Sequence, residues 1–312
     1  MLDSFGREVN YLRVSLTQRC NLNCAYCGAG RPDLRELRAD EIVRITAVCA
    51  ALGVSKVRLT GGEPLLRDDV AEIAAGIRGV PGIRKLAVTT NGVCLAQKAA
   101  ALREAGVDAV NISLDTLDAA RYKKLTGKAA LPRVLEGVDA ALAAGFRHVR
   151  INSVLIRGEN DGEAEKLIAL AKDRPVDVRF IELMPFSSAE QNAARMVTAR
   201  ELLARFPFLT PAGTETDGGA AKYYYAPGYL GRIGFISPVS DKFCDTCNRL
   251  RLLSTGELRP CLGHEQTFDL RPYLDDAGKM KAIVQAAILA KPVGHNFDCA
   301  YGGLHAMNKI GG

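Results

Sequence analysis

Six times between residues 11 and 183, a short apolar run gives way to a longer stretch rich in Ala, Leu and Glu. This alternation limits the fold more than any other feature of the chain. The strand-like runs are 11–17, 56–60, 84–89, 108–114, 148–155 and 177–183. Helical stretches such as 39–52, 96–105 and 131–144 separate them, and Gly53, Gly106 and Gly145 follow as helix-ending residues. Strands joined through helices lie parallel, because a crossover must carry the chain back to the same edge of the sheet. Six β–α repeats fall short of the eight that close a barrel. The expected α/β fold is an incomplete, three-quarter barrel of the TIM type. A doubly wound sheet is the alternative, since periodicity does not separate the two.

After Ser187 the pattern changes. A helix over 198–205 runs into 211–219, a Gly- and Thr-rich stretch that reads as a linker. Shorter strand candidates follow at 222–226, 231–236 and 250–253, then a helix near 278–289. The division expected is residues 1–210 as the partial barrel and 211–312 as a smaller C-terminal α+β unit ending in Ile310-Gly311-Gly312. A balance of 41 Lys+Arg against 35 Asp+Glu leaves +6, a mild lean toward anionic ligands. Without a basic tract it speaks against nucleic acid. No stretch reaches the roughly 18 apolar residues of a membrane helix, and residues 1–10 lack the apolar core of a secretory signal. The location expected is the cytoplasm. There nine cysteines imply metal or redox chemistry rather than disulfides.

Cys20, Cys24 and Cys27 stand in Cys-x3-Cys-x2-Cys spacing directly after the first strand, where barrel enzymes keep their chemistry. Three thiolates leave a structural zinc site one ligand short. On a [4Fe–4S] cluster, which normally takes four, they leave one iron open. A zinc knuckle with a distant ligand, or three unrelated thiols, are the alternatives. Cys244, Cys247 and Cys261 form a second trio, Cys-x2-Cys-x13-Cys. His264 could complete a Cys3His zinc site there. Against zinc stands the run Cys247-Asn248-Arg249-Leu250-Arg251, which aims two cations from one strand face at whatever an open iron holds. The leftover Cys49, Cys94 and Cys299 read as buried small hydrophobes.

The first trio, with Tyr26 before its last cysteine, resembles the signature of the radical S-adenosylmethionine superfamily. Together with the second trio, the chain from Arg13 to Gly311-Gly312 is similar to one family within it, the GTP 3′,8-cyclases (MoaA) of molybdenum cofactor synthesis. That resemblance implies two [4Fe–4S] clusters and S-adenosylmethionine as cofactors. It implies that Tyr26, Gly62, Glu63, Ser113 and Met184 bind S-adenosylmethionine. Glu63 lies in Gly61-Gly62-Glu63-Pro64, which would otherwise be an ordinary turn, whose glycines permit close backbone approach. Taken singly, Ser113 fits a helix cap and Met184 fits core packing.

Basic residues also recur on strands that should be buried. Lys56 and Arg58 share one face, Arg150 and Asn152 another, with Arg179 and Arg13 on further strands. A triphosphate, with about three to four negative charges, is met by such groups. The resemblance assigns Arg13, Lys56, Arg58, Thr89, Arg150 and Arg179 to the surroundings of GTP, and Asn248, Arg249 and Arg251 to its guanine end. Arg249, Arg251 and the terminal Gly311 and Gly312 are implied as catalytic, although a diglycine end is otherwise a frayed terminus. The reaction implied is conversion of GTP to 3′,8-cyclo-7,8-dihydro-GTP. A related radical enzyme acting on a peptide or another nucleotide is the alternative. The implied partners are a reductant protein, a downstream cyclic pyranopterin monophosphate synthase and a second copy of the chain. Two departures stand out: Gly28-Ala29-Gly30 replaces the family's Met-Pro, and Arg150 stands where many relatives have Lys.

Overall fold

The computed structural model describes residues 1–27, 32–33, 35–185, 194–214, 219–295, 297 and 307–310. Gly28-Ala29-Gly30, Cys299, Gly311 and Gly312 lie outside the described residues. Six parallel strands stand side by side in chain order: β1 (Tyr11–Ser15), β2 (Lys56–Thr60), β3 (Lys85–Thr90), β4 (Ala109–Ser113), β5 (His148–Val154) and β6 (Val176–Ile181). The helices α1 (Ala39–Ala51), α2 (Val70–Arg78), α3 (Leu95–Glu104), α4 (Ala119–Thr126), α5 (Leu131–Ala143) and α6 (Ala164–Asp173) connect them. Strand order never reverses from β1 to β6, whereas a doubly wound sheet reverses at its switch point. The result is an α/β fold on a mostly parallel sheet that winds in one sense.

Side chains alternate across a strand, and here the two faces differ sharply. Leu12, Val14, Val57, Leu59, Val88 and Ile151 point outward into one continuous core, packed by Ile42, Ile45, Ile73, Leu102, Val138 and Leu167 of the helices. The opposite face carries Tyr11, Arg13, Lys56, Arg58, Thr89, Arg150 and Arg179, all of which line a cavity. A parallel sheet buried on both sides normally reads as near-continuous apolar runs. This inner face is polar where it lines the cavity.

The C-terminal third continues the same sheet at both ends. Beyond β6 come β9 (Ile233–Ile236), β8 (Lys222–Tyr225) and β7 (Thr210–Thr214). Beyond β1 come β10 (Arg249–Leu252), β11 (Glu257–Arg259) and β12 (Phe268–Asp269). β9 runs parallel to β6 and β10 parallel to β1, while the outermost strands are antiparallel. The stretch expected as a linker at 211–219 is thus strand as far as Thr214. It lies at the sheet edge, where Pro211 removes no needed donor, and its register shifts between Pro211 and Thr214. α7 (Ala199–Arg205) starts from a Thr198–Glu201 capping box. α8 (Ala277–Leu289) packs on α1, and a last short turn is α9 (Met307–Ile310). Among the described residues no helix is long and apolar enough to cross a membrane.

Candidate active site

The first thiol trio occupies the loop that leaves β1. Its shape is fixed by Gly61 and Gly62 at the end of β2, which lie directly against residues 17–19. A Cβ on Gly62 would stand 2.3 Å from the Arg19 carbonyl, and one on Gly61 would stand 2.5 Å from that of Thr17. With no Cβ at either glycine, the chains approach closely enough for Gly62 N to donate to Thr17 O (2.7 Å) and Glu63 N to Arg19 O (2.8 Å). The far end of the loop is tied to α4, where Asn23 N and Ala25 N donate to Thr126 O and Leu125 O. Cys27 N closes a turn onto Cys24 O (3.0 Å). The Cys20 sulfur accepts from Leu22 N (3.5 Å) and Asn91 Nδ2 (3.8 Å).

Burial pushes the Cys24 thiol well up, with Asp115, Cys27 and Cys20 adding to the shift. Three thiols gathered in this way favour their charged form only against a strongly positive partner, such as iron ions. Behind Cys27, the Tyr26 hydroxyl donates to Asp115 Oδ2 (2.7 Å), and Val154 N donates to Asp115 Oδ1 (2.8 Å). Burial raises the Asp115 carboxyl to about 6.

Tyr26, Gly62, Ser113 and Met184 line the cavity beside this trio. Glu63 does not. It is fully buried behind the wall, accepting from Leu65 N (3.0 Å), Thr90 Oγ1 (2.7 Å) and Asn91 N (2.6 Å), and burial raises it to about 7. Of the leftover cysteines, Cys49 is buried as expected. Cys94 is only half-buried, its sulfur accepting from Asn21 Nδ2 (3.8 Å).

Cys244, Cys247 and Cys261 reach the same cavity from the β10–β11 side. Cys247 N donates to Cys244 O (3.1 Å). Burial works to raise the Cys247 thiol, yet the Lys291 ammonium and the Arg249 guanidinium outweigh it and hold the thiol below its usual range. His264, the fourth ligand of the zinc alternative, instead shares a hydrogen with the Gly294 carbonyl through Nε2 (2.9 Å). Among the described residues no group of three or more His, Cys, Asp and Glu side chains closes around a single metal ion. The donor sets, three thiols on each side, suit iron–sulfur clusters.

Between the two trios lies a cavity of about 560 Å³, lined with cations in two rows. Strand register aligns Arg249, Tyr11 and Lys56 in one row and Arg251, Arg13 and Arg58 in the next. Burial pushes Arg13 well below its ordinary value, with Arg251 the next cause. It pushes Arg251 to about 10, with Arg249 adding to the shift, and Arg179 likewise to about 10. Arg179 is braced by the side-chain oxygens of Asn152 and Asn111, and Arg150 approaches Asp177 at 3.8 Å. Asn248 is not in the cavity wall; its Nδ2 donates to Asn10 Oδ1 (2.8 Å), and its carbonyl accepts from Tyr11 N. Several residues of the wall carry a buried polar atom without a hydrogen-bond partner: Tyr11 Oη, Arg58 Nε, Thr89 Oγ1 and Arg249 Nε. Such groups are costly unless a polar ligand satisfies them.

Sequence reasoning missed three contributors. Tyr11 shares its strand face with Arg13, so alternation alone would have reached it. Arg7 and Lys291 reach the second trio from remote segments, and no local pattern marks them.

A parallel α/β sheet with a cysteine trio at the mouth of its first strand defines the class. The Radical SAM superfamily model matches residues 14–171, and the Molybdenum Cofactor Synthesis C model matches residues 176–297. The fold agrees with that of a Streptococcus suis SuiB structure bound to S-adenosylmethionine, at a TM-score of 0.61 and 16% identity, covering 88% of this chain and 68% of that one. Over its whole length the chain is 43% identical to a GTP 3′,8-cyclase of Pelotomaculum thermopropionicum and 41% identical to one of Alkaliphilus oremlandii, covering each completely. The chain belongs to the GTP 3′,8-cyclase family of radical S-adenosylmethionine enzymes.

Proposed function

We propose that this chain converts GTP to 3′,8-cyclo-7,8-dihydro-GTP, the first step of molybdenum cofactor synthesis. The framework would be a three-quarter barrel with a C-terminal cluster-binding unit, residues 1–210 and 211–312. The observation that carries the reading is one cavity with a thiol trio on each side and wall residues whose buried polar atoms have no hydrogen-bond partner. Cys20, Cys24 and Cys27 would hold one [4Fe–4S] cluster and Cys244, Cys247 and Cys261 another. When bound, the first cluster and S-adenosylmethionine supply a 5′-deoxyadenosyl radical.

The chain's own residues bind and orient. Arg13, Lys56, Arg58, Arg150 and Arg179 meet the triphosphate, and Thr89 and Tyr11 offer neutral donors. Arg249 and Arg251, with Asn248 behind them, set the guanine end next to the second trio. Tyr26, Gly62, Ser113 and Met184 form the wall against S-adenosylmethionine. Glu63 acts from behind that wall by fixing Asn91, whose amide reaches Cys20. Held in this way, carbon 3′ and carbon 8 of GTP are brought within reach of each other, which is the entropic part of catalysis. Met307 N donates to Cys27 O (3.0 Å), which ties the start of α9 to the first trio and supports a role at the active site for Gly311 and Gly312. The further partners in this reading are a reductant protein, a cyclic pyranopterin monophosphate synthase that consumes the product, and a second copy of the chain.

The test replaces Cys244, Cys247 and Cys261 with Ala and supplies GTP, S-adenosylmethionine and a strong reductant anaerobically. Slow 5′-deoxyadenosine formation should survive while the cyclised nucleotide disappears. Full yield of cyclised product from that variant would contradict the reading.

A further inference from the structure

Lys291 follows α8, and its side chain turns inward until the residue is 3% exposed. A lysine ammonium has three protons to donate, and all three have acceptors here: Arg249 O at 2.9 Å, Pro260 O at 3.0 Å and Cys247 Sγ at 3.4 Å. One acceptor is a thiol of the second trio. The other two belong to residues next to that trio, since Pro260 precedes Cys261 and Arg249 follows Cys247 by two. One ammonium therefore bridges both segments that carry the second set of thiols.

Its charge is handled differently from that of its neighbour Arg7. Arg7 holds the same region through Cys244 O (2.9 Å), Pro292 O (2.6 Å) and Val293 O (3.0 Å), but it is neutralised by Asp3 at 2.6 Å. Among the described residues no carboxylate pairs with Lys291, and backbone carbonyls do not cancel a charge. A buried, uncompensated cation is expensive, so its location implies an anion beside it. A cluster held by three thiolates is such an anion. The hydrogen bonds described at Cys20 come instead from neutral donors, Leu22 N and Asn91 Nδ2.

We propose that Lys291 is the positioning residue of the second cluster, fixing Cys247 against the Cys261 segment and raising the cluster's reduction potential through its unneutralised charge. The inference rests on the second trio holding a cluster. Hydrogen bonds to cluster sulfurs and nearby charge are the levers by which proteins set these potentials.

The test is a spectroscopically monitored redox titration of the full, reconstituted chain, with S-adenosylmethionine added to identify the first cluster by its response. In Lys291→Met, the reduced-to-oxidised ratio of the second cluster at fixed solution potential should fall about tenfold, equivalent to ~59 mV for a one-electron couple. Lys291→Arg should restore most of that ratio, and the first cluster should not move in either variant. If Lys291→Met loses the second cluster while Lys291→Arg keeps it at the wild-type potential, the proposal also holds. An unchanged ratio in Lys291→Met, or loss of the cluster from both variants, overturns it. Wild-type protein with about four irons and a single signal would overturn the two-cluster reading itself, an outcome distinct from a potential that fails to shift.

Discussion

Arg13 and Arg251 are direct register partners on adjacent parallel strands, the first half-buried and the second buried, both lining the same cavity. Two cations so placed repel each other and lose hydration, so the ligand-free fold carries a cost that a polyanion removes. Replacing Arg13 by Met should therefore have effects of opposite sign. The ligand-free protein should gain stability, on the order of 1–2 kcal/mol. GTP binding should weaken by ~1.5–3 kcal/mol, the scale of a lost charge-assisted contact. Thermal unfolding with and without GTP measures both, and a variant less stable without GTP yet equally stabilised by it would contradict the account.

Gly62 offers a test of how the first trio is shaped. A methyl group there cannot coexist with the Arg19 carbonyl at 2.3 Å, so Gly62→Ala must displace the loop entering Cys20. Iron after anaerobic reconstitution should fall from about eight to about four per chain, with the second cluster's spectrum retained. Full iron content in Gly62→Ala would show that the loop tolerates the shift.

Much of this arrangement was legible in the sequence, for identifiable reasons. Period-two alternation sets Lys56 and Arg58, and likewise Arg150, opposite their apolar strand neighbours Val57, Leu59 and Ile151, but that these faces and Arg13 join in one inner face follows only from the strand order. Cysteine spacing gave both trios, since their ligands are close in the chain. What stayed hidden depends on contacts between distant segments. β10 sits beside β1 although more than 230 residues separate Arg13 from Arg251. The Gly- and Thr-rich composition of 211–219 reads as a linker, and only pairing with β8 at the sheet edge makes a strand of its first part. That the Glu63 carboxylate accepts from Thr90, at the end of β3, and from Asn91 just after it is likewise a contact between distant segments.

Asp115 gives a pH prediction. Burial raises its carboxyl from 3.8 to about 6, so between those values the folded chain holds a proton that the unfolded chain has lost. The stabilisation from this group is present at the acid end of that window and is lost as pH rises through about 6. A shift of this size corresponds to about 3 kcal/mol. Asp115→Asn can still accept from Val154 N and donate to Tyr26 without ionising. It should be more stable than wild type at pH ~8 and lose this part of the slope between about pH 4 and 6. Urea unfolding at a series of pH values checks this, and parallel profiles for the two proteins would remove Asp115 as the cause.

The central claim is that this cavity holds GTP with its 3′ carbon presented to the radical formed at the first trio. Turnover of GTP deuterated only at carbon 3′, followed by mass analysis of the 5′-deoxyadenosine released, tests it most directly. The account predicts that 5′-deoxyadenosine gains one deuterium and that cyclised nucleotide forms alongside it. Unlabelled 5′-deoxyadenosine accompanied by cyclised product would mean that the hydrogen comes from elsewhere, and would contradict the account.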